Sequence, residues 1–343
     1  MKVYGNRYIL DSNYSFYYEG GGRMRWNYRD ALGEAFGKIG EEFKDLVVVT
    51  ADVSKSTRSI IFKEKFPERF FSVGIAEANA IGVAAGISTF GGPVIFTAYS
   101  VFATEKPFEQ IRNMLCYPKL NVKIVATHGG INVGEDGVTH QAVEDIGIMR
   151  TIPGMKVVVV ADPGEVTAAL REVVRIPGPV FLRLGRAETE IIHEDMENVI
   201  FKIGKAEILR EGHDVTLMSI GMMVWESLKA AELLDREGIS ARVVNMRSVK
   251  PIDDEIIVNA AVETGAIVTA EDHNCFGGLG SAVAEVLVKT VPVPMEQVAL
   301  CDTFAESGAC DLLLKKYGLT AEEIFRKAKI AIKRKNEMGV LKC

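Results

Sequence analysis

No stretch of this chain approaches the roughly 18 consecutive apolar residues needed to span a bilayer as a helix. Cysteine is sparse: the five residues at 116, 275, 301, 310 and 343 are odd in number, scattered, and form no C-x-x-C pair. That pattern speaks against a disulfide framework or a zinc site and fits a reducing compartment. Positive charge is not in excess, with 40 Lys and Arg against 46 Asp and Glu, a net charge of −6 and a pI near 5.6. A nucleic-acid binder or a protein drawn to anionic membranes is therefore not expected. There is no Walker A loop, no H-E-x-x-H and no G-x-S-x-G, so three common catalytic frameworks are missing. Residues 1–23 have neither the apolar core of a secretory signal nor the Arg/Ser-rich, acid-poor character of a transit peptide. These absences together lead us to expect a soluble, cytoplasmic protein.

What is present is ordinary in bulk: 48% hydrophobic and 25% charged residues over 343 positions, enough for two domains. After a tyrosine-rich extension, 1–23, expected to be a loose arm or a misassigned start, apolar strand-like runs alternate with helix-like ones. Strands are expected at 46–50, 93–98, 122–126, 155–160 and 179–184, and helices at 26–43, 76–88, 105–115, 141–150 and 163–174. A charged stretch, 187–201, reads as a linker. The βα style then resumes, with strands at 215–220, 241–245, 266–270 and 297–300 and helices between them and at 321–333. Continuously apolar strands separated by helices indicate sheets covered on both faces. The expected fold is α/β: two consecutive α/β domains with mostly parallel sheets, one at 24–190 and one at 200–343.

Several features with chemical potential fall just after predicted strands, where open α/β sheets place ligands. Two of the five histidines, His128 and His140, flank the glycine-rich run Gly134-Glu135-Asp136-Gly137. Glu77 opens a helix of small and apolar residues; it is either a dipole-stabilised acid or a carboxylate in a dry pocket, with raised proton affinity if no cation pairs with it. Tyr99 and Phe102 leave a strand end, either as core or as a wall for a flat ring. Asp52, Ser54, Ser56 and Arg186 follow other strands. Singly these are unspecific; together at one sheet edge they suggest a shared site. Gly277-Gly278-Leu279-Gly280 lacks the third glycine of a dinucleotide fingerprint and reads as a tight turn.

The runs Val73-Gly74-Ile75-Ala76-Glu77, Phe108-Glu109-Gln110-Ile111-Arg112-Asn113, Gly134 to Gln141, and Glu271-Asp272-His273 with Gly277 to Gly280 together resemble the C-terminal half of transketolase, over about residues 24–333. The resemblance implies a pyrimidine-binding domain of the thiamine-diphosphate fold followed by a transketolase C-terminal domain. It implies Glu77 hydrogen-bonding the cofactor's aminopyrimidine, Phe102 stacking on it and Tyr99 beside it. It also implies Asp136 and His140 at the substrate hydroxyls, with His140 assisting proton transfer, and His128, Arg25, Ser56 and Arg186 gripping the acceptor phosphate. The Gly-Asp-Gly motif that holds Mg²⁺ and the diphosphate in such enzymes is not in this sequence, so no metal site is expected on this chain. The implication is a split enzyme: an N-terminal partner subunit bearing the diphosphate and Mg²⁺, two copies of each chain in a heterotetramer, and ketol transfer between sugar phosphates in the pentose phosphate pathway. Half of a 1-deoxyxylulose-5-phosphate synthase-like enzyme, the β subunit of a 2-oxo-acid dehydrogenase E1, and a non-catalytic scaffold stand as alternatives.

Overall fold

The computed structural model describes residues 8–10, 16–18 and 24–340. Tyr8–Leu10 and Phe16–Tyr18 pair antiparallel; the expectation for 1–23 otherwise lies outside the described residues. The first domain is built on a seven-stranded sheet. From one edge to the other, the strands are Ser248–Lys250, Lys156–Val159, Val180–Arg183, Val122–Thr127, Val94–Tyr99, Val47–Thr50 and Phe70–Ser72. All neighbours run parallel except Ser248–Lys250, which lies antiparallel to Lys156–Val159.

The sequence makes this sheet for a simple reason. Val122–Thr127 is buried along its whole length; its Val, Ile and Ala side chains face the core, each fully buried Val or Ile contributing about 1.5–3 kcal/mol, while buried Lys123 places its ammonium on the carbonyls of Ile176 and Gly178. Helix Tyr28–Glu42 covers one face; its N-cap Asn27 accepts a hydrogen bond from Arg29 N at 2.8 Å, a cap of about 1 kcal/mol. Helix Glu77–Ser88 packs on the other face through Ala80, Ile81, Ala84 and Ala85. The second domain has a five-stranded sheet in the order Glu207–Arg210, Ala241–Asn245, Val215–Ser219, Ile267–Asn274, Met295–Leu300, with only the first strand antiparallel.

Four local expectations change. The helix expected at 105–115 is replaced by Phe108–Gln110 and a π-helical turn, Ile111–Cys116, and a separate short helix, Ser100–Thr104, precedes it. The helix expected at 141–150 starts only at Asp145, because Ala142 bridges to Gly129 and the Ala142 and Val143 carbonyls accept from Gly130 N and Asn274 N. The strand expected at 266–270 continues to Asn274 and carries Glu271, Asp272 and His273 inside the protein. The stretch 187–201 is more than a linker: Glu188–Glu190 pairs with Arg25–Asn27, and His193 anchors a buried ionic cluster.

That cluster joins the domains, as does Ser248–Lys250, which the second domain lends to the first domain's sheet. His193 Nδ1 meets Asp162 Oδ1 at 2.5 Å and its Nε2 meets Glu207 Oε2 at 2.8 Å, while Arg247 Nε donates to Glu165 Oε2 at 2.8 Å. Ligand atoms of Asp162, Glu165 and His193 lie within 4.8 Å of one another, as a metal site would require. Protein donors already use them: Asp162 Oδ2 accepts from the backbone of Gly164, Ile192 and His193, and Glu165 Oε1 from Ala161 N. Burial alone would lower the His193 pKa, but hydrogen bonds to Asp162 and Glu207 and the charge of Glu165 outweigh it and raise it to about 10. The folded state thus holds this proton more tightly than the unfolded chain, whose imidazole titrates near the ordinary 6.5. The resulting stability is fully present below pH 6.5 and fades as pH rises toward about 10. Thermal melts of wild type and His193→Gln across that window should converge at the alkaline end; parallel curves would show that His193 does not carry the linkage.

Candidate active site

Because the inner strands are parallel, their carboxyl ends share one edge, and the nominated side chains are spread along it. Arg186 follows Val180–Arg183, His128 follows Val122–Thr127, Phe102 lies just beyond Val94–Tyr99, Ser56 lies in the turn after Val47–Thr50, and Glu77 comes after Phe70–Ser72.

Glu77 is the first residue of its helix, where the dipole favours a carboxylate, and its side chain is only 7% exposed. The expectation of a possible unpaired acid is corrected here: Lys106 Nζ, on a side chain 51% exposed, donates to Glu77 Oε2 at 2.8 Å. The same ammonium sits 5.1 Å from the centre of the Phe102 ring. Carboxylate and ring are therefore adjacent, bridged by a flexible cation with an open path to water.

Beyond Phe102 the aromatic groups form a continuous wall. Tyr99 and Phe102 stack with centroids 5.9 Å apart, Tyr99 and His128 at 3.8 Å, and His140 stands edge-on to Phe102 at 5.2 Å. His128 is 1% exposed and has a positive φ of 64°, a conformation uncommon for a non-glycine residue and found more often at functional sites. Its Nδ1 is 2.7 Å from Thr127 Oγ1. Burial first, then Arg29, Arg186 and His140, push its pKa down to about 3, so at neutral pH it is an uncharged hydrogen-bonding group. His140, on the 3₁₀ turn Val138–His140, is half-buried with Nδ1 3.0 Å from Thr139 Oγ1.

The arginines depart from the expected set. Arg25 is exposed and occupied elsewhere, donating to Glu188 O at 3.0 Å and lying 3.7 Å from Glu190. Arg29, in the first turn of the helix that follows, acts electrostatically on His128, as does Arg186. Its own pKa is lowered by burial, then by Arg186 and Arg58. Arg186 donates from Nη1 to Val133 O, its Nε is buried without a hydrogen-bond partner, and its nearest acid to that atom, Asp136, is 3.9 Å away. Arg186 Nη1 also lies 3.5 Å from Glu135 Oε2, so two exposed carboxylates border the unfilled Nε donor. Asp136 itself is exposed beside this cluster, and Ser56 is half-buried.

Sequence reasoning missed Arg29 and Lys106. Asn27 was the available signal for the first: as an N-cap it places Arg29 in the opening turn of the helix, and Asn27 Oδ1 also lies 3.3 Å from Arg29 Nε. Nothing in the local sequence announces Lys106.

A carboxylate, an aromatic wall, two histidines and two arginines make the carboxyl edge of this parallel α/β sheet the candidate site. Comparison with known proteins makes the class specific. The family model for the transketolase pyrimidine-binding domain matches residues 25–191, and that for the transketolase C-terminal domain matches 204–324. A Methanocaldococcus jannaschii protein provisionally described as a transketolase C-terminal section is 46% identical over 300 residues, covering 87% of this chain and 94% of its own length. The 6-deoxy-6-sulfo-D-fructose transketolase subunit SqwH of Clostridium sp. strain MSTE9 is 41% identical over 308 residues, 90% of this chain and 95% of that one. A solved split-gene transketolase, described as an inactive β4 tetramer, superposes with a TM-score of 0.82 at 46% identity, over 90% of this chain and 99% of that one. The chain belongs to the transketolase family. That membership implies dependence on thiamine diphosphate.

Proposed function

We propose that this chain is the C-terminal subunit of a two-chain transketolase, moving a two-carbon ketol unit from a ketose phosphate to an aldose phosphate. The observation that carries the reading is the single sheet edge on which Glu77, Phe102, Tyr99, His128, His140 and the Arg29–Arg186 pair converge. The donor set fits the aminopyrimidine end of thiamine diphosphate: a buried carboxylate for a ring nitrogen and, beside it, the Phe102 ring under a half-exposed lysine. When bound, the cofactor supplies the carbon nucleophile that attacks the ketose carbonyl. Glu77 then holds a proton at the pyrimidine N1′, a task for a carboxyl in a water-poor pocket once Lys106 has swung into solvent. Phe102 and Tyr99 fix the ring plane. Asp136 and His140 meet substrate hydroxyls, and neutral His128 donates or accepts without adding charge. Arg29 and Arg186 take the acceptor phosphate as paired guanidinium forks. Ser56 borders the same mouth. In this reading Arg25 gives up the phosphate role assigned by resemblance.

The sequence has no Gly-Asp-Gly, which supports placing the diphosphate and Mg²⁺ on an N-terminal partner subunit, with two copies of each chain in the assembly. The inactive β4 tetramer of the related split enzyme supports the same division. Purified alone and given thiamine diphosphate, Mg²⁺, xylulose 5-phosphate and ribose 5-phosphate, this chain should show no turnover. Addition of the partner should restore it. Robust turnover by this polypeptide alone would overturn the two-chain reading, and a complex that consumes pyruvate instead of the ketose would reassign the chemistry.

A further inference from the structure

Asp272 lies on the second domain, far along the chain from the sheet edge just described, yet it is 2% exposed and reaches into the first domain. Its Oδ1 accepts from Ile131 N at 2.9 Å and its Oδ2 from Asn132 Nδ2 at 3.3 Å. With both oxygens accepting, the Asp272 side chain fixes which way the Asn132 amide points. The opposite end, Asn132 Oδ1, then accepts from Arg186 N at 2.8 Å. A relay of two hydrogen bonds thus runs from a second-domain acid to the backbone of the arginine whose buried Nε has no hydrogen-bond partner.

The surroundings support the contact. Gly130 has φ 78°, and a Cβ there would fall 1.9 Å from Asp272 Oδ2, so the loop approaches as closely as the absence of a side chain permits. The Asp272 carbonyl accepts from Arg183 Nη2 at 2.9 Å, and Asn274 N donates to Val143 O at 2.8 Å. Farther along, Gln141 Nε2 donates to Glu306 O at 3.0 Å. The strand end carrying Asp272 thereby presses on both ends of the segment that holds His128, Asp136 and His140.

We infer that Asp272 is a positioning residue for substrate binding: through Asn132 it sets where Arg186 presents its guanidinium, and the second domain thereby tunes recognition of the acceptor's phosphate. This rests on the proposed function. Atoms of Asp272 do not touch the substrate in this scheme, so the effect belongs in KM rather than in the chemical step.

The test uses the complex of this chain with its partner. Asp272→Asn leaves one acceptor oxygen for the two donors Ile131 N and Asn132 Nδ2 and sets its own amide donor against one of them, weakening the relay with little change in volume. KM for ribose 5-phosphate should rise about tenfold, the equivalent of one lost hydrogen bond, while kcat and the KM for an unphosphorylated aldose, glycolaldehyde, stay within about twofold. Asn132→Ala should reproduce that split, and combining Asp272→Asn with Arg186→Ala should add nothing to Arg186→Ala alone. A cofactor-free readout is protection of the purified chain against thermal unfolding by ribose 5-phosphate, weakened in both relay variants. If both acceptors suffer equally, or if Asp272→Asn shifts only the melting temperature, the positioning role is refuted. If the wild-type complex transfers no ketol unit to either acceptor, the functional reading fails, whatever the binding data show.

Discussion

Glu77→Ala in the assembled enzyme should lower turnover by about 10²–10⁴-fold, the usual contribution of a positioned acid–base group, with the folded state and the association of the chains unchanged. Glu77 sits at a helix N-terminus and its partner Lys106 is half exposed, so removing the carboxylate frees a cation that water can solvate. The expected stability cost is within about 1 kcal/mol. Glu77→Gln keeps the shape and a hydrogen bond but cannot cycle a proton at N1′, so it should fall in the same activity class as alanine. Steady-state rates with a matched thermal melt decide the matter. A Glu77→Ala complex within a few-fold of wild type would end the proposed role.

The largest stability effect should come from Arg183→Met. Arg183 is 3% exposed, and its Nε pairs with fully buried Asp145 at 2.7 Å. Nη2 bonds Ala142 O at 3.1 Å and Asp272 O at 2.9 Å. Burial opposes its charge, but Asp145 and Asp272 outweigh burial and leave its pKa raised. With methionine in place, two carboxylates remain buried with no cation beside them. Breaking such a pair from one side costs about 3–5 kcal/mol. Urea unfolding should show this as a lower midpoint at neutral pH, with part of the loss recovered in Arg183→Met/Asp145→Asn, where one stranded charge is removed. A single-variant loss below about 1 kcal/mol would mean that water reaches the cluster or that the acids are neutral in the folded protein.

These two residues illustrate what could be read from the chain alone. Glu77 was identifiable because everything that marks it is local: an apolar strand, a turn, then an acid opening a run of small residues. The strand ends that supply Phe102, His128 and Arg186 were legible for the same reason, since continuously apolar runs predict parallel strands and parallel strands align their carboxyl ends. The Gly277 to Gly280 turn was also correctly set apart from nucleotide fingerprints: Leu279 N and Gly280 N donate to buried Glu271 at 2.7 and 2.8 Å. The limits appear where a strand passes into a helix. Arg25 lies on the strand paired with Glu188–Glu190, whereas Arg29, beyond the Asn27 cap, lies in the first turn of the helix and acts on His128. Helix spans also erred where π-helical or bridged backbone interrupts an otherwise helical composition, as at 105–115 and at the start of 141–150.

The amino-acid order by itself determined the α/β layering, the sheet edge where the candidate residues lie and the residue types offered there, because strand burial, helix caps and turn glycines act over a few neighbours. Only the tertiary structure decided the charges and the alignment. Lys106 meets Glu77 across 29 positions, His193 meets Asp162 across 31, and Asp272 meets Ile131 across 141. Such contacts form when domains pack and water leaves, and no local periodicity encodes which distant partner a buried charge will find.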